Sequence, residues 1–165
     1  MIRLAGIESQ SIVDGKGIRY VIFTQGCTHN CNGCHNPDTH DIHGGSLVKV
    51  DDIIDDIKNT RDRELLTGVT FSGGDPVLQA KQLLPIAECV KDMGMDLWMY
   101  TGYTFENLMK QGGSVKELLK YVDVLVDGKY EEELKTLDKP FIGSSNQRII
   151  DVKESIKGGE VVLYK

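Results

Sequence analysis

No run of apolar residues approaches the length that crosses a bilayer, which excludes a membrane-spanning helix as an organising feature. The first residues, Met1-Ile2-Arg3-Leu4-Ala5-Gly6-Ile7-Glu8, lack the charged-then-apolar profile of a secretory signal, and a cytoplasmic protein is expected. Lys and Arg form no cluster that would follow a phosphate backbone. They number 19 against 25 Asp and Glu, for a formal net charge of −6, and a nucleic-acid partner is not expected. Internal repeats, low-complexity stretches and linkers are also missing. The 165 residues are therefore read as one domain, residues 1–165, with room for a proper core. A balance of 40% apolar and 27% charged residues suits an ordinary globular chain.

Cysteine is scarce too, and its placement is uneven. Three of the four cysteines, Cys27, Cys31 and Cys34, fall in one short stretch with the spacing C-x3-C-x2-C, and no fourth stands nearby. Such crowding argues against two disulfides and for metal ligation in a reducing compartment. Three thiolates hold three irons of a cubane iron–sulfur cluster and leave the fourth iron open to a substrate or cofactor. Four-cysteine sites fill every iron and mostly carry electrons. On spacing alone, a zinc site completed by one of the nearby histidines, His29, His35, His40 or His43, also fits. Cys89 lies in the helical pattern Leu83-Leu84-Pro85-Ile86-Ala87-Glu88-Cys89-Val90 and reads as a small buried hydrophobe.

Short apolar runs alternate with amphipathic ones. Strands are predicted over Ile18–Thr24, Gly68–Phe71, Asp96–Thr101 and Val122–Val126, with later ones over Arg148–Val152 and Val161–Tyr164. Helices are predicted over Val50–Arg61, Gln79–Met93, Phe105–Lys110, Val115–Leu119 and Glu131–Leu137. Thr104 is placed to cap the third of these, Gly94 to stop the second and Pro85 to distort it. In Val50–Arg61 the isoleucines share one face, and the Asp51, Asp52, Asp55 and Asp56 face reads as solvated. The βαβα rhythm gives an α/β fold with a mainly parallel sheet flanked by helices. A complete eight-fold barrel needs about 250 residues, so a curved, partial (β/α) barrel is expected. In such folds chemistry gathers at the carboxyl ends of strands, where the cysteine loop, Ser72–Pro76, Tyr100–Tyr103 and Asp127–Tyr130 all fall.

In Ser72-Gly73-Gly74-Asp75-Pro76 the glycines let backbone reach positive φ and let a ligand come close, and the carboxylate beside them suits an ammonium group. An ordinary strand-to-helix turn explains it as well. Asp127-Gly128-Lys129 offers both charges to a zwitterionic ligand, or a surface ion pair of little worth. Phe141-Ile142-Gly143-Ser144-Ser145-Asn146-Gln147-Arg148 reads as a turn before a strand or as the lip of a pocket.

The constellation says more than its members. Asp14-Gly15-Lys16-Gly17-Ile18-Arg19, then Thr24-Gln25-Gly26-Cys27 and Cys31-x-x-Cys34-His35-Asn36, resembles the start of the radical S-adenosylmethionine activating enzymes for glycyl-radical proteins. Trp98-Met99-Tyr100-Thr101-Gly102-Tyr103, Val124-Leu125-Val126-Asp127-Gly128-Lys129 and Gly143-Ser144-Ser145-Asn146-Gln147 are similar to the branch that activates anaerobic ribonucleoside-triphosphate reductases. The resemblance runs nearly end to end. It implies a 4Fe–4S cluster on Cys27, Cys31 and Cys34, with the methionyl amine and carboxylate of S-adenosylmethionine on the open iron. Gly73, Gly74 and Asp75 match the family's Gly-Gly-Glu-Pro element, which contacts the methionyl amine, although aspartate is one methylene shorter. Asp127 and Lys129 match positions that approach the ribose and the methionyl carboxylate. Two residues depart from the pattern: Gly33 stands where an aromatic often contacts adenine, and Tyr100 where pyruvate formate-lyase activators place an acid.

The resemblance further implies a reaction between proteins. One electron from a low-potential donor cleaves S-adenosylmethionine, and the resulting 5′-deoxyadenosyl radical takes hydrogen from a glycine of the reductase large subunit. An incomplete barrel would leave a lateral opening for that partner loop. Two other readings keep part of the same evidence: a radical S-adenosylmethionine enzyme acting on a small molecule such as a deazapurine precursor, and a non-enzymatic iron–sulfur or zinc protein.

Overall fold

Strands that pair in parallel need a long crossover connection between them, usually one that carries a helix. The computed structural model describes residues 1–165, and its central strands follow that rule. The strands are β1 (Ile2–Ser11), β2 (Arg19–Thr24), β3 (Ser46–Val48), β4 (Gly68–Gly73), β5 (Asp96–Tyr100), β6 (Val124–Asp127) and β7 (Arg148–Asp151). The helices are α1 (Val50–Arg63), α2 (Ala80–Asp92), α3 (Phe105–Gln111), α4 (Gly113–Leu119) and α5 (Val152–Gly158). One seven-stranded sheet runs in the order β3-β1-β2-β4-β5-β6-β7. The pairs β2–β4, β4–β5 and β5–β6 are parallel, while β1–β2, β1–β3 and β6–β7 are antiparallel. The predicted parallel sheet thus describes the four central strands, and antiparallel strands complete it on both sides.

Period-two alternation sorts the side chains between two faces. Leu97, Met99 and Leu125 join Tyr20, Ile22, Val69 and Phe71 in a core of 25 buried residues shared with the helices. Their sequence neighbours Trp98, Val124 and Val126 pack on the other face under Phe141, Ile142 and Tyr164. Arg19 is fully buried on β2 near Trp98. Its guanidinium donates to the Thr70 hydroxyl, the Lys16 and Val69 carbonyls and Asp96. A buried charge requires partners of this kind. Gly15 and Gly17 have positive φ, and a Cβ at Gly15 would come within 2.8 Å of the Arg19 side chain. The Asp14–Arg19 motif is therefore a seat for Arg19 at the end of the strands away from the cysteines.

Local signals account for several boundaries. The Thr104 hydroxyl accepts from the Asn107 amide and caps α3. Gly94, at φ 75°, ends α2 as its amide bonds the Lys91 carbonyl while the Met95 amide bonds that of Val90. On α1, Ile53 and Ile57 are buried and the aspartates are exposed, though Asp56 accepts from the Tyr20 hydroxyl at 2.6 Å.

Other expectations are corrected. The sequence pattern does not predict β1 or β3. The predicted helix over Glu131–Leu137 is a single 3-10 turn, Glu132–Leu134. The late strand expected over Val161–Tyr164 contributes only a bridge between Ile150 and Leu163. Val152 begins α5, because the Asp151 carboxylate caps that helix by accepting from the Glu154 amide. The helix α2 passes through Pro85 without a break. No helix is long and apolar enough to cross a membrane.

Candidate cluster and cofactor site

The cysteine loop leaves β2 with no regular structure beyond one 3-10 turn, Pro37–Thr39, so side chains and turns must hold it. Gln25, 5% exposed, donates from its amide to the Asp38 and Asp41 carbonyls across the loop. The Gly26 amide bonds the Thr39 carbonyl, and the Cys27 amide bonds that of His40. Cys27, Cys31 and Cys34 are free and half-buried. Burial pushes the Cys27 thiol above its ordinary pKa, and nearby Asp75, Cys31 and Cys34 add to the rise against a backbone bond from His29. No three His, Cys, Asp or Glu side chains converge as ligands of one metal ion. In a cubane each thiolate takes its own iron, so its donors stand wider apart than around zinc.

The end of β4 lies directly against this loop. Gly73 has φ 105°, as its place at the strand end requires. Gly74 does not, and its need for glycine is steric: a Cβ there would come within 2.2 Å of the Gly26 carbonyl oxygen. The close approach made possible at these glycines is that of the chain's own backbone. The Gly74 amide bonds Thr24, and the Asp75 amide bonds Gly26. Asp75 is 1% exposed and its carboxylate faces His29 Nε2 at 2.5 Å.

The end of β6 is held by a second network. The buried Asp127 carboxylate accepts from the Phe105 amide at 2.8 Å and from Arg148 at 2.6 and 3.0 Å. Arg148 also donates to both oxygens of Glu106, and this bond holds the Glu106 carboxyl below its ordinary pKa. Lys129 is exposed. The stretch Gly143–Gln147 is both turn and lip. Gln147 accepts from the Gly143 and Ser144 amides and donates to the Gly128 carbonyl, while Asn146 donates to the Lys129 carbonyl. The strand-end loop 128–131 is fixed by these bonds. Glu132 accepts from the Tyr130 hydroxyl and pushes its pKa up to about 12.

Two adjoining cavities result. One, of about 170 Å³, is lined by the three cysteines, by Gly73 and Gly74, and by Tyr100 and Gln147. The other, of about 680 Å³, is lined by Asp127, Lys129, Glu106 and Arg148. They share His29, Gly102 and Gly128. Cysteines and glycines are thus brought together, Asp127 and Lys129 stand next door, and Asp75 lies beneath, on neither wall. Sequence reasoning missed the parts of Arg148 and Gln25, and it left the four histidines alike. His29 and His35 face the cysteine cavity, with His35 edge-on to Tyr130, whereas His43 is exposed.

The chain matches the family model of a 4Fe-4S single cluster domain over residues 13–150. It is 39% identical to the anaerobic ribonucleoside-triphosphate reductase-activating protein of Haemophilus influenzae, across 84% of this chain and 90% of that relative. The protein of the same name from Enterobacteria phage T4 is 36% identical, across 83% and 86%. The pyruvate formate-lyase-activating enzyme of Clostridium pasteurianum is 38% identical over 81% of this chain and 55% of its own length. The three cysteines, both glycines and Gly143–Gln147 all fall inside the matched residues. The chain belongs to the glycyl-radical activating-enzyme family, on the branch of the anaerobic ribonucleoside-triphosphate reductase-activating proteins.

Proposed function

We propose that this chain generates a glycyl radical on the large subunit of an anaerobic ribonucleoside-triphosphate reductase by cleaving S-adenosylmethionine reductively at a 4Fe–4S cluster. One observation carries the reading: Cys27, Cys31 and Cys34 meet Gly73 and Gly74 in one cavity at the carboxyl ends of parallel strands. Three thiolates suit three of four irons. Held by Cys27, Cys31 and Cys34, the cluster would supply the one electron for reductive cleavage of the sulfur–C5′ bond, giving methionine and, with a hydrogen drawn from a glycine Cα, 5′-deoxyadenosine. A low-potential donor provides the electron.

The chain's own residues bind, orient and shield. Gly73 and Gly74 line the cavity that the thiols also line, and there the methionyl group is proposed to lie. The exposed Lys129 is proposed to meet its carboxylate from the adjoining cavity. Asp127, held with Arg148, is proposed to form the wall that the ribose approaches. Asp75 supports the thiol end from beneath. No side chain is needed as general acid or base. A primary carbon radical attacks almost any C–H bond, so closeness of the target glycine and exclusion of water matter more. This reading treats the sheet as a partial barrel of the radical S-adenosylmethionine type whose open side admits the partner's glycine loop. Free cysteines suit a cytoplasmic, reducing setting.

Anaerobically reconstituted and reduced protein is expected to release methionine and 5′-deoxyadenosine, with release increased by the reductase. Release indifferent to the reductase would move the function to a small-molecule substrate. No release from protein that holds a reduced cluster would overturn the enzymatic reading.

A further inference from the structure

The Asp75 carboxylate is fully engaged within the protein. Its Oδ1 accepts from the Val77 amide at 3.1 Å and the Thr101 hydroxyl at 3.0 Å. Its Oδ2 accepts from the Gly102 amide at 2.9 Å, lies 3.0 Å from the same hydroxyl, and faces His29 Nε2 at 2.5 Å. A carboxylate offers about four lone-pair sites. Four partner groups fill these sites and leave no place for an ammonium group arriving from the cavity, and at 1% exposure the carboxylate does not border it. The short side chain has the right length for this arrangement, since the Val77 bond closes a local turn that aspartate makes with its own backbone two residues on.

The side chain held most closely is His29, which sits between Cys27 and Cys31. It is 6% exposed. The chain is shaped around its ring. Tyr103 packs edge-on at 4.5 Å, and a Cβ on Gly102 would come within 2.5 Å of the imidazole. The seat is assembled from three strand-end loops: His29 from the loop after β2, Asp75 from that after β4, and Thr101, Gly102 and Tyr103 from that after β5. Burying an imidazole and a carboxylate is costly unless each satisfies the other, and a seat of this completeness locks the cysteine loop at one height over the sheet.

We propose that Asp75 is a positioning residue that acts through His29: the pair fixes the cysteine loop, and hence the open iron, relative to the strand ends, and Asp75 does not itself receive the methionyl amine. The inference rests on the function proposed above. It predicts that the two residues behave as one unit. In anaerobically reconstituted protein, His29→Ala and Asp75→Ala should each weaken S-adenosylmethionine binding by a similar factor, about 10–100-fold, the range found when a group that orients a metal ligand is removed. The double variant should be no weaker than the worse single one. Each should also release iron to a chelator faster than wild type. His29→Gln, whose amide nitrogen reaches about where Nε2 stands, should recover most of the affinity. Gly102→Ala, which displaces the ring but leaves both partners, should reproduce the His29→Ala result.

Equilibrium dialysis with labelled S-adenosylmethionine reads the affinity, and the electron paramagnetic resonance spectrum of the reduced cluster reports whether the cofactor still perturbs it. Loss of affinity in Asp75→Ala with wild-type affinity in His29→Ala overturns the inference, as do losses that add in the double variant. If the alanine variants fail to fold, His29→Gln and Asp75→Asn keep the shape of the seat. A large affinity loss in Asp75→Asn beside a wild-type His29→Gln sustains the inference only if chelator release also rises; otherwise it overturns it. A wild-type chain that takes up no cluster, or binds no S-adenosylmethionine, contradicts the proposed function itself.

Discussion

The proposed function gives each of the three thiols its own iron, so no neighbour would replace one that is lost. Cys31→Ala is expected to retain almost no cluster after anaerobic reconstitution, measured as iron and sulfide per chain; full occupancy would remove Cys31 from the ligand set. Gly74 tests the backbone contact beneath. Its absent Cβ would meet the Gly26 carbonyl, and neither main chain can yield cheaply. Gly74→Ala should destabilise by about 1–3 kcal/mol, seen as a lower denaturation midpoint, and an unchanged midpoint would contradict that contact. At this scale the sequence shows residue types but not their pairings. Three cysteines at metal-ligand spacing point to metal ligation locally, though not to which metal. His29 does not, because its partner Asp75 is 46 residues away and three other histidines sit nearby. Arg148 is likewise invisible in sequence as the partner of Asp127, since only the fold brings them to 2.6 Å.

Between elements, Asp123 is a tie whose pH dependence is testable. Its carboxylate accepts from Lys91 on α2, Lys153 on α5 and the Leu97 amide of β5. Burial alone would raise its pKa, but the Lys91 bond, the Leu97 amide and the Lys153 bond outweigh burial and lower it. A depressed folded-state pKa gives stability that is complete above the unfolded value, near 3.8, and is lost as pH falls through the folded value. Asp123→Asn should therefore cost about 1–2 kcal/mol at neutral pH, after allowance for solvent screening, and the difference from wild type should close in acid. Thermal melts at pH 7 and below pH 3.8 check both limits, and a gap independent of pH would refute the tie. Thr104→Ala should cost α3 about 1 kcal/mol through its lost cap, read as a lower denaturation midpoint. The central elements are legible in sequence because buried parallel strands are apolar runs and their crossover helices carry one apolar face. The edges are not. β1 carries the exposed run Ile7-Glu8-Ser9-Gln10 before its last residue, and β3 is three residues long. The start of α5 reads as strand because Val152 continues the apolar run Ile149-Ile150, while the capping role of Asp151 depends on where the chain turns.

Across the whole molecule, parallel pairing does the assembling. Four strands that run the same way deliver the cysteine loop, the Gly73–Asp75 turn, the Thr101–Tyr103 turn and the Gly128–Tyr130 loop to one end of one sheet. That convergence is readable from the βαβα rhythm alone. The antiparallel flanks are not, nor is the clip by which Gln147 and Asn146 fasten the last loop. The central claim concerns another molecule, so the decisive measurement is made on that molecule. The chain, reduced and given S-adenosylmethionine, should be incubated without oxygen with an anaerobic ribonucleoside-triphosphate reductase and examined by electron paramagnetic resonance. The account predicts a glycyl-radical doublet on the reductase, formed alongside 5′-deoxyadenosine and absent with Cys31→Ala. A reductase that stays radical-free, while the chain holds a reduced cluster and consumes S-adenosylmethionine, would contradict it.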